Sequence, residues 1–233
     1  MSAVTDAPGL TDAPAIAARR TRAIGLSLPD AARIFWRYPS PWVLAGIATT
    51  YVTARVALGG WRWADLGIAV ALVALQPFVE WVIHTSLLHW KPRTVLGRRI
   101  DPLVARKHRE HHRDPKRLDV VFIPLPTIFR SLVGNATVWF VFAPTAPFAL
   151  TGLATGALLG FVYEWVHYLI HSDYKPRRWA FRNVWRNHRL HHYKSERYWF
   201  GVTNALGDHV LRTHPDRNAV PTSPTCKELL ARP

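Results

Sequence analysis

Four apolar stretches separated by polar, basic connections dominate the middle of the chain. Pro41–Leu58 is the first, and Leu66–Ile83, interrupted by Gln76, Pro77 and Glu80, is the second. From Ser131 to Ile170, 40 residues, the only Asp, Glu, Lys or Arg is Glu164. At about 20 residues per crossing, that run predicts two membrane-spanning helices. "APTAP" (Ala143–Pro147) supplies the turn, leaving a short third span and a fourth over about Thr151–Ile170. In "VVFIPLPTIF", just before the third, Pro124 and Pro126 argue against a regular helix. Leu28–Tyr38, "LPDAARIFWRY", reads as a short amphipathic helix along the interface or as an ordinary cytosolic one. Met1–Ser27 has no apolar core of a secretory signal and reads as a flexible tail. The pattern predicts an all-α membrane domain over 28–214 and a polar tail over 215–233; the competing architecture is a buried, soluble α-bundle.

Composition and charge sharpen this. Lys and Arg total 30 against 15 Asp and Glu, a net charge of +15, with 49% hydrophobic residues and 11 Trp among 233. The apolar content turns the basic excess toward anionic headgroups rather than nucleic acid. Lys91–Arg117 holds ten Lys or Arg, the chain from His171 twelve and the first forty residues five. The connections on the other side hold only Arg55 and Arg62. The positive-inside rule then places both termini and the central loop in the cytoplasm. Cys226 is the single cysteine, so neither an intramolecular disulfide nor a thiolate metal site can form.

The chemistry lies in the histidines. Ten of the twelve fall in four short stretches: His84-x4-His89, His108-x2-His111-His112, His167-x3-His171 and His188-x2-His191-His192. A Glu-Trp pair, a spaced His pair, a basic connection and an HxxHH triplet occur twice in the same order. Residues three and four apart share a helix face, so each triplet projects together. His84 and His89 diverge by roughly 140° on a regular helix and need a bend or a helix end between them. Ten imidazoles exceed one tetrahedral zinc site and suit two metal ions with about five nitrogen ligands each. Imidazole alone accommodates Zn, Cu, Fe or Ni. No HExxH motif occurs, so zinc-protease chemistry is a poor fit. Glu80 and Glu164 precede the first His of their pairs and are candidates to accept the free N–H of a ligating imidazole, or to pair with an Arg at the interface. Asp208 reads as structural, and His209 and His214 lie outside the clusters.

The set HX4H, HX2HH, HX3H, HX2HH resembles the signature of the fatty acid hydroxylase and sterol desaturase superfamily, from about Glu80 to Thr213. "HHRDPKRLDVVFIPLP" (His111–Pro126) and "HHYKSERYWFGVTNALGDHVLRT" (His191–Thr213) look more like its fatty acid 2-hydroxylase branch. Tyr163-Glu164-x-x-His167 resembles that family's Tyr, acidic residue, x, x, His run.

The resemblance implies four transmembrane helices with a cytoplasmic helical cap holding a histidine-rich dimetal site. It implies two Fe ions, which Zn can replace in purified samples, with O2 as co-substrate. The implied reaction is hydroxylation of an aliphatic C–H of a lipid, most simply a fatty acyl chain, or oxidation of a sterol or carotenoid. Relatives often carry a fused cytochrome b5 domain with a His-Pro-Gly-Gly motif. "THPDRN" (Thr213–Asn218) is not that motif, so a separate cytochrome b5-, ferredoxin- or rubredoxin-like donor with its reductase is expected. A non-catalytic metal carrier would need polar residues through the depth of its spans, and here the candidate ligands stay at one end.

Overall fold

A computed structural model describes residues 25–230; the part of the expected tail at 1–24 and residues 231–233 lie outside them. Helix α1 (Leu28–Phe35) begins where the Ser27 hydroxyl accepts the Asp30 N–H, with Pro29 in the first turn. Its apolar face, Ala31 and Phe35, packs on Phe122, Tyr168 and Leu169, and the Tyr168 hydroxyl donates to the Ala31 carbonyl at 3.0 Å. Helix α2 (Pro39–Leu58) ends at Gly59, and α3 (Trp63–Val82) returns and passes into a π-helical turn, Ile83–Leu88. A two-stranded hairpin follows, β1 (Arg93–Val95) and β2 (Arg98–Ile100), pairing Arg93 with Ile100 and Val95 with Arg98. Leu96 and Gly97 turn it, both at positive φ, as a two-residue primed turn requires. The all-α expectation missed this hairpin because its strands, Arg-Thr-Val and Arg-Arg-Ile, are only three residues long and bury no face.

Helix α4 (Leu103–Arg113) leads through a 3-10 turn at Leu118–Val120 to α5 (Leu125–Phe142). The helix starts earlier than the prolines suggested. Pro124 caps it and Pro126 lies in the first turn, where a missing N–H costs no helical bond. Helix α6 (Ala146–His171) starts at Thr145, whose hydroxyl accepts the Phe148 N–H, and runs for 26 residues, longer at its start than Thr151–Ile170. It is the hub, packing against α2, α3 and α5. Helices α7 (Trp179–Tyr193) and α8 (Leu206–Val210) complete the order.

Among the described residues three stretches are long and apolar enough to cross a membrane: Trp63–Leu88, Leu118–Phe142 and Ala146–His171. Helix α3 leaves Leu66, Val70, Val73, Val79 and Val82 about half exposed, on more than one of its faces, apolar surface that a soluble bundle would bury. Helix α2 spans 20 residues but carries Thr49, Thr50, Thr53 and Arg55, and it is not among the three.

At the far end of the bundle from the histidines, Arg55 is buried rather than lying in an outer connection. Its guanidinium meets Asp65 at 3.0 Å, donates to the Thr151 hydroxyl at 2.7 Å and to the Gly59 carbonyl at 2.6 Å, and lies 3.7 Å from the centre of the Trp61 ring. The Thr151 hydroxyl in turn donates to Asp65 at 2.6 Å. This knot ties α2, α3 and α6 together. Sixteen residues of α6 separate Thr151 from His167, about 24 Å along the axis.

Candidate metal centre

Four helical segments carry the ten imidazoles to one end of the bundle. The π-helical turn resolves the awkward five-residue spacing. The His89 N–H bonds to the His84 carbonyl at 3.1 Å, an i→i+5 bond that brings both rings to one side. Helix α4 supplies His108, His111 and His112, the end of α6 supplies His167 and His171, and α7 supplies His188, His191 and His192. Two groups of five result, His84, His89, His108, His112 and His191, and His111, His167, His171, His188 and His192. Within each, the ligand-capable nitrogens all lie within 4.8 Å of one another. Each triplet is therefore split. Residues four apart, His108 with His112 and His188 with His192, stay together, while the middle imidazole crosses to the other group. Successive residues differ by about 100° around a helix, so His111 and His112 point apart.

The ring nitrogens bear on what the groups could hold. The Nδ1 of His84, His112 and His191 donates to the carbonyls of Phe200 (2.6 Å), Cys226 (2.8 Å) and Tyr198 (2.8 Å). In the second group the Nδ1 of His167 donates to the Val121 carbonyl at 3.1 Å. A neutral imidazole that donates from Nδ1 has a bare lone pair on Nε2. The Nε2 atoms of His112 and His191 nevertheless lie 3.1 Å apart. Two lone pairs at that distance repel unless a cation sits between them. Two nitrogens each roughly 2.1 Å from one ion at roughly right angles are separated by about that much. The buried His167 Nε2 has no protein partner among the described residues. Burial first, then the neighbouring imidazoles, holds His89, His108, His111, His188, His191 and His192 well below the usual histidine range. His112 is pushed down to about 3, mainly by burial. These rings are neutral at pH 7, the state a metal requires. The residues present fit two metal ions.

Comparison with known proteins agrees with this geometry. The family model described as fatty acid hydroxylase matches residues 69–213. The chain belongs to the fatty acid hydroxylase family. A dihydroceramide fatty acyl 2-hydroxylase of Arabidopsis thaliana is 28% identical over 80% of this chain and 76% of its own length. A fatty acid 2-hydroxylase of Mus musculus is 31% identical over 64% of this chain, which spans only 39% of that longer protein. The fold is similar to that of full-length Scs7p, of which only the hydroxylase domain is visible, with a TM-score of 0.65 and 20% identity over 79% of this chain and 68% of the other. The named relatives are fatty acid hydroxylases, enzymes of the oxidoreductase class.

The carboxylates of this fatty acid hydroxylase family member lie at one remove from the imidazoles. Glu80 and Glu164 are buried, yet among the described residues neither bonds a histidine ring or an Arg. Glu164 accepts the Ser40 hydroxyl and, at 3.1 Å, the Ile123 N–H, two residues beyond the carbonyl that receives His167. Glu80 accepts the N–H groups of Val202 and Thr203, close behind the carbonyl that receives His84. The partners of the ring N–H groups are backbone carbonyls, which leave no trace in residue type. The segment from Pro215 gave no signal in the sequence, yet through Cys226 it fixes His112. His209 and His214 stack on each other, ring centres 4.0 Å apart, outside both groups. Of the ten histidines only His89 is partly exposed, toward a cavity of about 340 Å³ also lined by Thr85, Lys91, Arg197 and Phe200.

Proposed function

We propose that each five-histidine group holds one iron ion and that the protein hydroxylates a fatty acyl chain of a membrane lipid. The observation that carries this is the pair of bare Nε2 atoms of His112 and His191 facing each other at 3.1 Å, an arrangement that a shared metal ion relieves. Zinc binds such a ligand set but has no redox chemistry, so iron is the working metal and zinc a substitute in purified samples. An aliphatic C–H offers no group for acid–base or nucleophilic attack, and iron bound here supplies the oxidising power to replace its hydrogen with hydroxyl. The balance is RH + O2 + 2 electrons + 2 H⁺ → ROH + H2O, the electrons coming from a separate donor protein of cytochrome b5, ferredoxin or rubredoxin type.

The residues hold the ligands in place. Carbonyls at Phe200, Tyr198, Cys226 and Val121 fix the tautomer of four imidazoles and aim their Nε2 atoms inward. Helix α2 completes a set of four spans, with both termini and the metal groups on the cytoplasmic side. The Lys and Arg of the connections at the histidine end support that orientation, and at the far end Asp65 offsets Arg55. An acyl chain then reaches the site from the bilayer, while water-soluble partners approach the cavity beside His89. Carbon 2 of the acyl chain is the position favoured by the names of the relatives. The outcome expected in cells producing this chain, against cells without it, is a lipid class one oxygen heavier, with the hydroxyl at carbon 2 by fragmentation. An unchanged lipid profile in cells supplied with iron and a competent donor would contradict this activity.

A further inference from the structure

We propose that Asp208 and Glu80 are positioning residues for the first histidine group alone, acting through the backbone of Tyr198–Thr203. This rests on the reading that each group holds one metal ion. The segment is divided by polarity. Its Tyr198 and Phe200 carbonyls face the metal groups and receive His191 and His84, two of the five imidazoles of the first group. Its N–H groups are directed to other acceptors. Trp199 donates to the Thr213 carbonyl at 2.9 Å. Phe200 and Gly201 donate to the two oxygens of Asp208 at 2.9 and 2.7 Å. Val202 and Thr203 donate to one oxygen of Glu80 at 2.6 and 2.8 Å, and the Thr203 hydroxyl donates to the other at 2.6 Å. Two buried carboxylates thus hold four consecutive backbone N–H groups.

The backbone needs holding. Trp199 sits at φ +57°, a region non-glycine residues rarely adopt, with its side chain buried. A Cβ on Gly201 would lie 2.1 Å from the Asn204 carbonyl oxygen. None of the Asp208 or Glu80 contacts reaches the second group. There Glu164 takes the corresponding place, on Ile123 beside the Val121 carbonyl that receives His167. The spacing Phe-Gly-Val-Thr, Leu-x-Asp, Thr thereby gains a physical meaning: it builds a backbone cradle for one ion.

The two carboxylates respond differently to conservative change. Asp208 accepts on both oxygens, Oδ1 from Phe200 and the Thr213 hydroxyl and Oδ2 from Gly201. Asn offers one acceptor, so Asp208→Asn turns an NH2 against a backbone N–H in either orientation. Glu80→Gln keeps the oxygen that takes both backbone N–H groups, and the Thr203 hydroxyl can rotate to accept from the amide. Zinc is the probe, added to the full-length chain in detergent and titrated by chelator competition. In a His188→Ala background, which leaves only the first group complete, Asp208→Asn and Glu80→Ala should each weaken zinc binding by about 10–100-fold. Glu80→Gln should leave it near the parent value. In a His108→Ala background, which leaves only the second group, all three should change nothing, and Glu164→Ala should weaken binding instead. Equal weakening in both backgrounds, or none in the His188→Ala background, would overturn the assignment. Fewer than two zinc ions on the unsubstituted chain would overturn the metal reading itself. Should Asp208→Asn fail to accumulate, the Glu80→Ala and Glu80→Gln pair reads the same segment.

Discussion

Replacing His112 with Ala should release the ion of the first group and leave the second bound, whereas His111→Ala, one residue earlier, should do the reverse. The two rings are consecutive on α4, but the helix turns them about 100° apart and into different groups. His112 Nε2 lies 3.1 Å from both His108 Nε2 and His191 Nε2, and His111 Nε2 lies 3.1 Å from His171 Nε2. Partners that only orient a ligand carry about 10–100-fold in affinity, so loss of the ligand itself should exceed that. On the proposed two-iron reaction, activity should fall below about 1% in both variants. The check is the number of ions retained per chain, with His108→Ala grouping with His112→Ala. If His111→Ala and His112→Ala emptied the same group, the split of the triplet would be wrong.

Asp65→Ala should be the most destabilising single change away from the histidines. It removes the carboxylate from Arg55, whose side chain is 2% exposed against 7% for Asp65, and leaves a guanidinium buried between helices. Breaking a buried pair on one side costs about 3–5 kcal/mol. Replacing both partners by apolar residues of similar size, Arg55→Met with Asp65→Leu, should cost much less, because no charge is left behind. Unfolding in detergent, followed by tryptophan fluorescence, measures both. A loss of at most about 1 kcal/mol for Asp65→Ala, the size of an exposed pair, would show that water reaches this knot.

The histidine code was legible because a period of three or four residues is a statement about a helix face. The five-residue gap between His84 and His89 announced an irregularity, and the π-helical turn is its form. The exchange of His111 and His191 was not legible, since one spacing serves one ion or two until a second helix is placed opposite. Glu80 and Glu164 stand close to histidines in sequence, which offers an imidazole N–H or an interface Arg as partner, but each instead holds an incoming backbone segment. Pro124 and Pro126 were weighed as helix breakers when they are a helix start. By charge alone Arg55 belongs to an outer connection, but Asp65, ten residues on across the turn, neutralises it. Cys226, Tyr198 and Phe200 contribute through carbonyl oxygens, which every residue possesses, and no sequence pattern marks them.

The most direct test is the metal content and ligand set of the unsubstituted chain. Protein purified in detergent from iron-supplied cells should carry two ions per chain, iron with zinc as partial substitute, and X-ray absorption at the metal edge should show a shell of imidazole nitrogens without sulfur. One ion per chain after metal supply, or a shell dominated by ligands other than imidazole, would contradict two five-histidine metal sites.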